Sequence, residues 1–163
     1  MVDRIRMCRD TFISESTMLE PGVRPMESDD STAFGNLLYA AYRGGVDDAG
    51  ETPSDAIVEA QELLAGKYGP VLMSSSFVKV DGIYLAAATV VVRLEENIAL
   101  LAYALTAPIN RRRGLAGRLI SLSIDSLARR GYSDVKLVVT RANVDAVKLY
   151  RTLGFREVDA EGR

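Results

Sequence analysis

Two linked signatures between Pro108 and Phe155 constrain this chain more than anything else in it. The first, Arg111-Arg112-Arg113-Gly114-Leu115-Ala116-Gly117, sets a glycine turn at the entry to a helix. The second, Asn143-Val144-Asp145-Ala146-Val147-Lys148-Leu149-Tyr150, closes on Leu153-Gly154-Phe155. A strand that runs through a small-residue turn into a helix lines up free backbone N–H groups at the positive end of the helix dipole. That is an anion cradle suited to a phosphate or pyrophosphate. Tyr150, on a second helix beside it, brings a phenol with an ordinary pKa of about 10. A pyrophosphate cradle next to a phenolic acid is what acyl transfer from coenzyme A needs.

The 163 residues favour one domain with a sizeable core, and 48% of them are hydrophobic. The net charge of −2 gives no global basic field, and Arg111–Arg113 is a local run, so no nucleic-acid partner is expected. Met1–Phe12 is charged and has no apolar core of signal-peptide length. The longest apolar runs, Ile83–Val92 and Ile98–Leu105, are too short to span a bilayer. Cys8 is the sole cysteine, so no intrachain disulfide can form. A soluble, cytoplasmic protein without membrane partners is expected.

The chain has no histidine, which removes a serine–histidine triad, a cysteine–histidine pair and histidine-ligated zinc. A general base must then be a carboxylate, a tyrosine, a lysine, a terminal amine or water. Asp47, Asp48 and Glu51 form the one dense carboxylate group, without the spacing of a calcium loop, so no metal is expected.

Phe34, Leu37, Leu38 and Ala41 recur at helical spacing behind Asp29-Asp30-Ser31, which predicts a helix over 31–42. An acidic connection, 43–50, leads to Thr52-Pro53-Ser54-Asp55, an N-cap with proline in the first turn of a helix that Gly66 ends. Asp81-Gly82 between Phe77–Val80 and Ile83–Leu85 marks a hairpin. The second hairpin strand continues to about Val92, and Glu95-Glu96-Asn97 turns it into Ile98–Leu105. The unbroken apolarity of Ile98–Leu105 and of Val135–Val139 predicts burial on both faces. Ala116, Leu119, Ile120, Ile124 and Leu127 line one side of a helix that stops at Gly131. Asn143 caps a last helix bearing Ala146, Leu149, Tyr150 and Leu153, ended by Gly154 before a short strand over 155–158. The order β–α–α–β–β–β–α–β–α–β is an α/β chain, a mixed sheet with helices on both faces.

This order and these residues resemble the GNAT family of N-acetyltransferases. The family's pyrophosphate turn is Arg or Gln, two residues, Gly, one residue, then Gly or Ala; Arg111, Gly114 and Ala116 match it in register. Pro108 and the series Asn143, Ala146, Leu149, Tyr150, Leu153, Gly154 and Phe155 match as well. The resemblance covers about residues 22–158, and Val46–Gly82 is similar to a bacterial subgroup of undefined substrate. It implies a GNAT-like acyl-CoA N-acyltransferase fold over 22–163, with 1–21 as an extension docked on it. It implies acetyl-CoA as co-substrate and a primary amine of a small molecule or protein as acceptor. Backbone groups of Leu105 and Thr106 would pair with the pantetheine arm. The N–H groups of Arg111, Arg112, Arg113, Gly114, Leu115, Ala116 and Gly117 would hold the pyrophosphate. Asn143 would contact the cofactor, and Tyr150 would protonate the departing thiolate.

Each residue also has a plainer role: Gly114 opens a helix, Asn143 caps one, and Tyr150 fills a core. The general base stays open, because family members often carry a carboxylate on the strand that 98–105 represents, and none stands there. Glu95 and Glu96 precede that strand, and Tyr103 is its polar side chain. Asp47, Asp48, Glu51 and Tyr103 are the acceptor-side candidates. A non-catalytic acyl-CoA-binding or sensing domain is the alternative function. A nucleotide-binding module would need an acidic ribose contact after Val139, and Thr140-Arg141-Ala142 offers none. A homodimer is compatible with all of these.

The resemblance also implies a further strand after the Gly-Phe strand, whereas five residues follow Val158. Arg4-Ile5-Arg6-Met7 alternates polar and apolar, and Phe12 and Ile13 extend its apolar content. Part of residues 4–13 is therefore expected to form a strand covering sheet edge, in its own subunit or in a partner. A surface arm without sheet pairing is the competing expectation.

Overall fold

The strand patterns assemble into a seven-stranded mixed sheet in the computed structural model, which describes residues 1–14 and 18–163. The strands are β1 (Arg4–Asp10), β2 (Val23–Pro25), β3 (Phe77–Asp81), β4 (Tyr84–Glu95), β5 (Ile98–Thr106), β6 (Asp134–Thr140) and β7 (Arg156–Val158). Across the sheet they run β2-β3-β4-β5-β6-β1-β7. The helices are α1 (Ser31–Tyr42), α2 (Pro53–Leu64), α3 (Leu115–Arg129) and α4 (Val144–Thr152). Asp81 lies opposite Tyr84, so the hairpin turn is Gly82-Ile83, one residue later than the Asp-Gly reading.

The capping chemistry legible in the sequence sets the helix ends. Thr52 and Asp55 exchange bonds in a capping box with Pro53 behind the cap. Asn143 Oδ1 accepts from the Ala146 N–H at 3.3 Å. On one face of the sheet, Ile120, Ile124 and Leu127 of α3 and Val147 and Tyr150 of α4 pack with Met7, Leu101, Val135 and Leu137. On the other, Phe34, Leu37, Ala60 and Leu63 of α1 and α2 pack with Val78, Val90, Val92 and Leu105. Gly35 makes the α1–α2 contact possible, since a Cβ there would lie 2.6 Å from Cα of Ile57.

Burial of β6 on both faces is not what forms. Val135, Leu137 and Val139 point into the α3–α4 core, but Val138 is 51% exposed. The α1–α2 core draws its sheet residues from β3, β4 and β5, which leaves Val138 uncovered, although Thr140 on the same face of β6 is buried.

The N-terminal segment fills the position beside β6. β1 pairs antiparallel with β6, from Arg4 opposite Thr140 to Asp10 opposite Asp134, and β7 pairs with the other edge of β1. Ile5 and Met7 alternate into the α3–α4 core while Arg4 and Arg6 face outward. The expected strand therefore forms within the chain. Phe12 and Ile13 lie beyond it and are exposed, with the Arg9 guanidinium 4.8 Å from the Phe12 ring centroid.

One irregularity opens the sheet. Val90 lies opposite Tyr103 but Val91 lies opposite Leu101, so Ala102 is an extra residue bulging from β5. β5 and β6 are parallel and pair only where Ala99 and Leu100 meet Val135 and Lys136. Beyond that they part, leaving a cleft at their C-terminal ends.

Candidate active site

Leu105 and Thr106 form one wall of the cleft. They pair with Ala88 and Ala87 of β4, while their β6-facing edge has no partner strand among the described residues. Backbone N–H and C=O groups on such an edge need partners, and amide groups of a ligand can supply them as an added strand would.

The turn after β5 forms the rim. Pro108–Asn110 is a short 3-10 turn, Arg112 and Gly114 take positive φ of 62° and 72°, and α3 starts at Leu115. From Arg112 to Gly117 no backbone N–H has an acceptor among the described residues. Arg111 departs from the expectation, because its N–H donates to Pro108 O at 3.3 Å within the 3-10 turn. Its side chain donates to Ala41 O at 2.9 Å and ties the rim to the end of α1. Arg118 sits over the turn, donating to Arg113 O at 2.8 Å and pairing with Glu20 at 2.7 Å.

Across the cleft stands α4. Tyr150 is buried at 9% exposure, edge-on to Phe155 with ring centroids 5.7 Å apart. Its hydroxyl donates to no described residue, yet it is not among buried polar atoms lacking partners, so the oxygen keeps some access to solvent. Burial, and then the charge of Asp47, push its pKa up to about 12. At pH 7 it is a neutral phenol with a proton to give.

Asp47 reaches this wall from the loop after α1. Its Oδ1 accepts from Thr140 Oγ1 at 2.7 Å and its Oδ2 from Asn143 Nδ2 at 3.3 Å. Asn143 thus serves as helix cap and as anchor for the loop. Asp47 therefore belongs with Tyr150 and Asn143, apart from the other two acceptor-side acids.

Asp48 and Glu51 instead line a cavity of about 390 Å³ between the loop, α1, α2 and β5. Tyr103 lies on its wall, edge-on to Phe34 and tilted against Tyr42, with its hydroxyl donating to Glu59 at 3.3 Å. Glu59 also accepts from Tyr68 at 2.6 Å and pairs with Lys67 at 2.8 Å. Burial opposes its charge, but the Lys67 and Tyr68 hydrogen bonds hold its carboxyl below the ordinary range. Burial pushes the Tyr103 phenol far up, and burial with the Asp47 charge does the same to Tyr42.

Sequence reasoning missed Glu59, Tyr42 and Thr140. Only Glu59 left a signal, standing four residues after Asp55 on the same helix side. Glu95 and Glu96 sit at the wrong end of β5, roughly 25 Å of strand from Leu105, and are exposed.

Residues 81–163 match the FR47-like protein family. No curated protein sequence matches the chain significantly. Among solved structures, a GNAT-family protein from Novosphingobium aromaticivorans superposes with a TM-score of 0.66 at 25% identity, covering 95% of this chain. The chain spans only 59% of that protein's length. The ribosomal-protein-S18-alanine N-acetyltransferase from Escherichia coli gives 0.64 at 21% identity, covering 86% of each chain. The PaiA N-acetyltransferase from Thermoplasma acidophilum, solved with coenzyme A, gives 0.66 at 17% identity over 86% of this chain and 92% of its own. The last two are likenesses of fold.

Proposed function

The chain belongs to the FR47-like family and has the GNAT acetyltransferase fold, and from that premise we propose that it moves the acetyl group of acetyl-CoA to a primary amine of a small molecule or protein. The observation that carries this reading is the joint geometry of rim and cleft: acceptor-free N–H groups from Arg112 to Gly117 stand beside an unpaired strand edge at Leu105 and Thr106. The turn N–H groups, with the positive end of α3 behind them, take the pyrophosphate. The Arg111, Arg112 and Arg113 guanidinium groups add positive field. The free edge of β5 pairs with the amide-bearing arm and leads the thioester into the cleft, with Asn143 on the opposite wall.

Direct transfer then asks for few protein groups. The amine nitrogen forms a C–N bond to the acetyl carbon as the C–S bond breaks. Tyr150 gives its proton to the departing sulfur, and the proton on nitrogen leaves to a carboxylate or to water. Burial, and then the Asp47 charge, hold Tyr150 in its protonated form and make it a weaker acid than an ordinary phenol.

A non-catalytic acyl-CoA sensor drew its support from the missing carboxylate on β5. Glu59, from α2, places a carboxylate against Tyr103 of that strand, but Lys67 and Tyr68 already engage it, so the sensor stays the alternative reading. Calorimetry with acetyl-CoA, paired with thiol release across an amine panel, tests the proposal. Binding with amine-dependent thiol release is expected. Binding without release on any amine leaves the sensor, and no binding overturns both.

A further inference from the structure

The 390 Å³ cavity beside the cleft is lined by tyrosines and carboxylates. Tyr39, Tyr42, Tyr68 and Tyr103 wall it, and Asp48, Glu51, Asp55 and Glu59 bring carboxylates. Arg43 is the one cationic side chain lining it among the described residues, and its guanidinium lies 5.7 Å from the Tyr39 ring centroid. The cavity is near the small end of ligand sites, which run from about 300 to 1,000 Å³. It adjoins the cleft through Tyr42, a cavity wall that the Asp47 charge also reaches.

The charges are graded along it. At the β5 end the groups are the neutral phenols Tyr42 and Tyr103, and Glu59 there is taken up by Lys67, Tyr68 and Tyr103. At the loop end Asp48 accepts through both oxygens, from Gly50 and Gly44, while Glu51 and Asp55 each keep an oxygen unused among the described residues. Among the described residues, Glu51 accepts through Oε2 only, from Ala49, and Asp55 through Oδ2 only, from Thr52. Backbone N–H groups of Gly44 and Gly50 hold Asp48 below the ordinary carboxylate range, and those of Thr52 do so for Asp55, so both stay ionised.

An attacking nitrogen must shed its proton, and carboxylates crowded around it would oppose that by favouring the ammonium form. The neutral end therefore suits the reacting nitrogen, and the acidic end suits a second cation that keeps its charge. Aromatic walls between them accept an aliphatic spacer and add cation–π attraction. We propose, building on the acetyl-transfer reading, that this cavity binds a small aliphatic acceptor carrying at least two cationic nitrogens, one acetylated and the other held by Asp48, Glu51 and Asp55.

The test uses the full chain with acetyl-CoA and follows thiol release. Putrescine, cadaverine and spermidine are compared with butylamine, pentylamine and aminovalerate, which match the diamines in length but end in a methyl or a carboxylate. The expected result is a kcat/KM at least about tenfold higher for a diamine than for the matching monoamine, with aminovalerate the poorest. Glu51→Gln is expected to raise the diamine KM several-fold and narrow the diamine-to-monoamine ratio. Equal use of diamines and monoamines overturns the proposal, as does acetyl-CoA binding with no turnover of any diamine. Calorimetry separates these from a failure of the underlying reading, in which acetyl-CoA itself does not bind.

Discussion

Asp47 and Asn143 stand 96 residues apart in sequence and meet across the mouth of the cleft, where Asn143 Nδ2 donates to Asp47 Oδ2 at 3.3 Å. The contact joins the loop after α1 to the first residue of the α4 cap. Because Asp47 also accepts from Thr140 at 2.7 Å, both carboxylate oxygens are committed to the wall that carries Tyr150. One loop thus links the proposed acceptor cavity to Tyr150, the proposed proton donor.

Asp47→Asn tests that link through pH. Burial is the larger cause of the raised Tyr150 pKa and Asp47 the smaller, so the variant should lower it from about 12 without returning it to its ordinary value. Under the proposed role the acid form is the active one, which gives the sign: rate is held below the folded-state pKa and lost above it. The alkaline limb of kcat should therefore move to lower pH in the variant. The measurement is kcat against pH at saturating acetyl-CoA and amine. Superimposable alkaline limbs would detach Asp47 from Tyr150. Linked stability has the same sign, fully present below about pH 10 and lost as the pH rises through about 12.

What could be read in the sequence was local chemistry. Thr52-Pro53, Asn143 and Gly154 announce their caps within a few residues, and Arg4–Met7 shows the alternation of a half-buried strand. The pairing of β1 with β6 joins segments at opposite ends of the chain, so alternation could mark the strand but not its place. The exposure of Val138 departs from the sequence expectation because an apolar run does not say whether a helix covers its second face. Glu59 looks like any solvated residue of an amphipathic helix until α2 is laid beside β5. The partners of Asp47 depend on the path of a loop with two positive-φ glycines, Gly44 and Gly50, which no periodicity describes.

Gly114→Val addresses the anion rim. Gly114 has φ +72°, and a Cβ there would sit 3.0 Å from Arg118 Nη1, a flexible group that can yield. Valine adds bulk where a phosphate must approach the backbone, so acetyl-CoA affinity should fall at least tenfold, about 1.4 kcal/mol. Gly114→Ala carries the backbone strain with less bulk and serves as the comparison, with thermal unfolding recorded for both. Wild-type affinity in a folded Gly114→Val protein would remove the turn from the binding site.

Met7 probes whether β1 is integral to the sheet. Its side chain is fully buried between α3–α4 and the sheet, among Leu137 and its neighbours. Truncation to alanine removes buried methylene and sulfur contacts and leaves a cavity, a change that typically costs about 2–5 kcal/mol. Met7→Ala should lower the urea midpoint accordingly, with an unchanged slope. A midpoint within error of wild type would mean that the strand is dispensable.

The decisive variant is Tyr150→Phe. The ring packs edge-on to Phe155 and within the α3–α4 core, and phenylalanine keeps that shape. The hydroxyl has no partner to lose among the described residues, so folding stability and acetyl-CoA affinity should hold. Only the proton for the departing sulfur is gone. General-acid catalysis contributes on the order of 10²–10⁴ in rate, so kcat should fall by about 10² or more with little change in acetyl-CoA Kd. Single-turnover thiol release and calorimetry on the same preparation separate the two effects. Full turnover in the variant would leave Tyr150 as a core residue, and the departing sulfur would then take its proton from water.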